Sequence, residues 1–194
     1  MSQQDDDVPH VHTAEVYDNL LEHEETTHVW LSDKIDHLIQ TIGHVVCWAN
    51  GILVFVIIAQ VFNRYVLHGG SIAMEELQWH LYGAAVMFGI SYAITQDSHI
   101  RVDILYHKYK PRTKRIVEIV GIVFFLLPFA WVIFDHSIPF VVDSFRTMEG
   151  SDSASGLPYR WIIKAVIPIS FGLVILAAVS RLIRDVTLLI RGEV

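Results

Sequence analysis

Two adjacent carboxylates, Glu75 and Glu76, open an almost charge-free run, "MEELQWHLYGAAVMFGISYA". Paired acids can hold a cation, move a proton or neutralise a base. Neighbours on a helix diverge by about 100°, so these two form no shared site of the kind a proton-coupling dyad needs. Arg64, which ends the preceding apolar run, can pair with one of them; alternatively one carboxylate faces a partner protein. A second polar group, His99, Arg101 and Asp103, follows the same run. It reads either as a salt-bridged helix end or as a lock against another subunit.

Other reactive residue types are sparse. His80 and His136 lie in separate apolar runs at similar depth, and two such histidines could ligate a b-type haem. His10, His12, His23 and His28 have irregular spacing in an acidic setting, which is a poor metal signature. One cysteine, Cys47, excludes an internal disulfide and a Cys-based zinc site. The chain carries no Gly-rich phosphate loop, no HExxH, no CxxC and no nucleophile elbow. It is therefore expected not to be an enzyme and to hold no cofactor or metal of its own.

These residues are positioned by apolar segments. Of 194 residues 53% are hydrophobic and the mean hydropathy is +0.42, too apolar for an ordinary soluble domain. Residues 42–63 and 77–96 carry no formal charge, and each covers roughly 30 Å as a helix, the thickness of a bilayer core. Residues 119–134 and 165–180 are shorter charge-free runs that continue as apolar sequence. The expected fold is an all-α integral membrane protein with four transmembrane helices, at about residues 42–66, 72–97, 114–142 and 159–190 of a membrane domain spanning 42–191. Before it, residues 29–41 repeat apolar positions at helical spacing, from Trp30 to Ile39. They predict an amphipathic interfacial helix capped by Ser32 and running into the first span, with simple extension of that span as the alternative. Residues 1–28 read as a mobile acidic tail without the basic start and apolar core of a signal peptide. Ten of the 21 acids precede residue 37, so the net charge of −7 belongs mostly to the tail and suggests no nucleic-acid surface.

Basic residues set the direction. Arg101, Lys108, Lys110, Arg112, Lys114 and Arg115 lie where the second span joins the third, and the C-terminal end holds Arg181, Arg184 and Arg191. The connections after the first and third spans hold only Arg64, Arg146 and Arg160, with Lys164 just inside the fourth. This bias puts the middle loop and both termini in the cytoplasm. Ala85, Gly89 and Ala93 recur every four residues, a small-residue stripe that lets another helix approach closely. Pro128 and Pro168 are expected to kink the third and fourth helices. Acids at mid-depth are missing, since Glu118 lies near an inner end and Asp135 near an outer one. No inverted repeat marks a transport core. A small polytopic chain without a substrate pathway suggests a companion to something larger.

The order of several motifs names that companion. Arg64 closes the first span, Glu75-Glu76-Leu77 opens the second, and His99-Ile100-Arg101-Val102-Asp103 marks its exit. With "LLPFAWVIF" and "SASGLPYRWIIKAVIPISFGL" further on, residues 42–184 resemble the small membrane subunit of tripartite ATP-independent periplasmic (TRAP) transporters, the DctQ-like family. Members often carry an aromatic just before the Glu pair, where this chain has "SIAM". The resemblance implies a static scaffold for a separate large, elevator-type membrane subunit that holds the substrate and sodium sites. It also implies a periplasmic binding protein that delivers an organic acid, the "QWHLYGA" and "GLPYRW" wording being similar to a subgroup linked to 2-oxo and hydroxy acids. Membrane lipid is the remaining partner, and the bacterial inner membrane the implied location. Two rival readings are a haem-binding membrane anchor using His80 and His136, and a small proton-coupled exporter using Glu75.

Overall fold

Long runs of apolar side chains fold this chain into long helices. The computed structural model describes residues 29–96 and 111–191. Helix α1 is Trp30–Tyr65, α2 is Ile72–Thr95 and α3 is Pro111–Gly121; a π-helical turn, Ile122–Leu126, leads into α4, Leu127–Arg146; α5 is Trp161–Arg191. No strand occurs among the described residues. Three stretches are long and apolar enough to cross a membrane: α1, the continuous helix Arg112–Arg146, and α5. Helix α2 has 24 residues, with Glu75, Glu76, Gln78 and His80 in its first turns.

Local chemistry explains the ends. Ser71 caps α2, its hydroxyl accepting from the Met74 N–H at 3.4 Å. Pro128 has no N–H to offer the turn before it. The chain there adopts a π turn in which the Leu127 N–H bonds to Ile122 O, and the proline follows directly. Pro168 lies inside α5 without ending it, as Pro139 does in α4.

The region 29–41 runs without a break into the first apolar run, in one 36-residue helix, because nothing between Trp30 and Ile42 breaks helical hydrogen bonding. Ser32 does not cap it. Val29 occupies the cap position with no side-chain bond, whereas Ser32 is fully buried against α5.

Helix α5 is the centre of the bundle. It packs against α1, α2, α3 and α4, whereas α2 and α4 share no packed face. Leu173, Val174, Ala177 and Ala178 of α5 are buried with Ile39 of α1, Ile94 of α2 and Ala130 of α4. Small residues on α5 let its neighbours come close, which matters where lipid removes the hydrophobic drive between helices. Elsewhere the surface is overtly apolar, with Trp48 79%, Phe55 74% and Phe125 74% exposed.

Candidate functional site: polar clasps at the two ends

Within lipid, polar ties and close packing must hold helices together. The structure concentrates its polar ties at the two ends of the bundle.

At one end, where α1 and α3 begin and α2 and α5 finish, two linked networks meet α5. The Ser32 and Ser180 hydroxyls are 2.8 Å apart, and the Ser180 hydroxyl donates to Asp36 Oδ1 at 2.8 Å. One proton each suffices if Ser32 donates to Ser180. Further along α5, Arg181 Nη2 donates to Glu118 Oε2 at 3.2 Å, and Arg115 Nη1 donates to Asp185 Oδ1 at 3.4 Å. Arg181 Nε lies 3.4 Å from Asp185 Oδ2, an ion pair without hydrogen-bond alignment. Two guanidiniums and two carboxylates thus neutralise one another around Asp185, which is only 2% exposed.

At the other end, the segment between α4 and α5 folds onto the start of α2. Glu76 accepts from the Ser151 hydroxyl through Oε1 and from the Leu157 N–H through Oε2, the latter at 2.7 Å. The segment closes on itself through Ser151 N–H to Leu157 O at 3.1 Å and Arg160 N–H to Glu149 O at 2.9 Å. Met148 and Tyr159 adopt positive φ, 47° and 64°, flanking this turn. Lys164 donates to Glu149 Oε2 and rests its ammonium 4.0 Å from the centre of the Phe140 ring.

The Lys164 hydrogen bond holds the Glu149 carboxyl below the usual glutamate range. A depressed folded value means that this contribution is complete above the ordinary glutamate pKa of about 4.3 and is lost as pH falls through the folded value. The stability gap between wild type and Lys164→Met should therefore hold from pH 7 down to about pH 5 and narrow below about pH 4. Thermal melts of the solubilised protein across that range check it. A gap that stays constant into acid would sink the assignment.

Of the residues singled out from the sequence, Glu76 meets the α4–α5 segment. Glu75 and Arg64 are exposed, and among the described residues no ion pair joins Arg64 to either acid. Ala85 and Gly89 line a cleft between α1 and α2, while Ala93 is half-buried beyond it. His99, Arg101 and Asp103 lie outside the described residues, as do the tail histidines. His136 is exposed, its ring Nδ1 2.9 Å from Val132 O, on a helix that does not pack against the one carrying His80. The sequence reading missed Ser32, Asp36, Ser180, Arg181 and Asp185 as a set, and missed the joining of Glu76 to Ser151.

A bundle of apolar helices, clasped at its ends by its own polar groups, defines a multi-pass membrane protein. Over residues 53–188 the chain matches tripartite ATP-independent periplasmic transporters, DctQ component, and it belongs to that family. No curated protein and no solved structure matches it. The family is a transporter component, not an enzyme family, and its partners are the other components of that transporter.

Proposed function

We propose that this chain is the small permease subunit of a TRAP transporter and acts as a fixed scaffold. A large elevator-type subunit slides against it during sodium-driven, binding-protein-dependent uptake of an organic acid, of the 2-oxo or hydroxy class. In this reading α2 is a fourth span, both termini are cytoplasmic, and the protein sits in a bacterial inner membrane. The bias of basic residues toward the 101–115 connection and the C-terminal end supports that direction.

The observation that carries the scaffold role is the double clasp. Helix α5 is tied to α1 and α3 at one end, and the segment leading into it is tied to α2 at the other. Such ties oppose sliding or rocking of one helix past the next, which a moving subunit needs and a wall does not.

Reconstitution tests the reading. Vesicles containing this chain, the large membrane subunit and the binding protein should accumulate a 2-oxo or hydroxy acid when a sodium gradient is imposed. Vesicles containing this chain alone should carry no flux of acid, sodium or protons. Flux through the single chain would overturn the proposal.

A further inference from the structure

Between α1 and α2 the helices touch at two levels and part in between. At one level the Tyr92 ring lies so close to Gly43 that a Cβ there would be 2.5 Å from its Cδ2. At the other, Gln78 Nε2 donates to Gln60 Oε1. The gap forms a cleft of about 190 Å³ lined by Gly43, Cys47, Asn50, Ala85, Gly89 and neighbours, all from these two helices. A Cβ added at Gly89 would meet no atom within 4 Å.

Asn50 is the unexpected member. It lies well inside the uncharged run 42–63, and its cleft neighbour Ala85 is near the middle of α2, about 14 Å along the axis from Glu76 and 15 Å from Thr95. Its side chain is exposed, and no hydrogen bond to it occurs among the described residues. A carboxamide at that depth requires a partner that can hydrogen-bond. An acyl chain offers none, so lipid alone does not complete this site. A neighbouring transmembrane helix can offer one, and the small residues beside Asn50 let its backbone come close.

We propose that this cleft receives a transmembrane helix of the transporter's large membrane subunit, which inserts a side chain at Gly89 and hydrogen-bonds Asn50. The inference rests on the scaffold reading and adds the docking face and its chemistry to it. The occupant is a helix with a hydroxyl or amide side chain at mid-membrane depth, packed against Gly89 and Ala85. No ion or solute passes through the cleft.

The test uses the chain co-expressed with the large subunit. Gly89→Leu fills space that is empty in the subunit itself, so it should fold normally, with unchanged helicity by circular dichroism, yet co-purify at least tenfold less. Asn50→Leu should weaken association by between about threefold and thirtyfold, the range of one interhelical hydrogen bond, and Asn50→Ser should recover part of it. As a measurement independent of folding, a benzophenone amino acid at position 47 should photo-cross-link to the large subunit in membranes. One at position 124, on the exposed side of the π turn, serves as the reference for non-specific capture.

Wild-type co-purification that survives Gly89→Leu and Asn50→Leu unchanged would overturn the cleft assignment while leaving the scaffold reading standing. Cross-links from position 47 only to a second copy of this chain, or only to lipid, would overturn it as well. Failure of the wild-type chain to co-purify with the large subunit would instead defeat the scaffold reading itself.

Discussion

Replacing Asp185 by alanine should destabilise the bundle by roughly 3–5 kcal/mol, the usual cost of breaking a buried ion pair. The reason is what remains. Arg181 keeps Glu118, but Arg115 loses its carboxylate while held against α5. Arg115 is 27% exposed, so water or headgroups can partly solvate it, which places the loss toward the lower end of that range. Removing both partners, in Arg115→Leu with Asp185→Leu, should cost less than the two single changes added together, because neither charge is then left alone. Unfolding in mixed micelles with increasing SDS measures all three variants. A loss below about 1 kcal/mol for Asp185→Ala, in the range of an exposed pair, would show that water already screens the cluster and that it holds nothing together.

Much of this end could be read from the sequence, though not its connections. Arg115 and Glu118 are three apart, and Arg181 and Asp185 are four apart. Each pair shares a helix face, and each lies where an apolar run meets charge. Two such pairs at the same expected depth are a signal for mutual neutralisation. Which helices meet is a tertiary fact, and spacing within a helix is silent on it. Ser32 carried a similar signal. It lies three residues before Ile35, seven before Ile39 and ten before Ile42, on the face that packs against the core. Read by position it looked like a cap; read by face it belongs inside. The start of α2 at Ser71 was legible because capping chemistry is local. The division of α1 into an interfacial part and a span was less so. A change from mixed to apolar sequence marks a boundary in solvation, whereas a helix ends only where its hydrogen bonding or φ/ψ is interrupted. The partner of Glu76 was invisible from sequence, since Ser151 and Leu157 lie 75 and 81 residues away with no periodicity to connect them.

That clasp gives the second large effect expected. Gly156 lies directly behind the two groups that meet there. A Cβ at this position would be 2.2 Å from Ser151 Oγ, 2.3 Å from Ser151 Cβ and 2.8 Å from Glu76 Oε1. Ser151 is too short to swing clear, and its own backbone N–H is committed to Leu157 O. The added methyl must therefore push Ser151 off Glu76. Gly156→Ala should cost about 1–3 kcal/mol, as overpacking commonly does, and should expose the 147–160 segment to protease added from the side on which it lies. Substrate uptake by the assembled transporter should fall with it if the scaffold must be rigid at this end. Adding Ser151→Gly removes both of the closest atoms, so the double variant should regain protease resistance in part, without the hydroxyl's bond to Glu76. Glu76→Gln keeps the shape but replaces the charged acceptor, and should loosen the segment less than Gly156→Ala does. Were Gly156→Ala as resistant to protease and as active as wild type, the contact between Glu76 and the α4–α5 segment would not be what holds this end of the bundle closed.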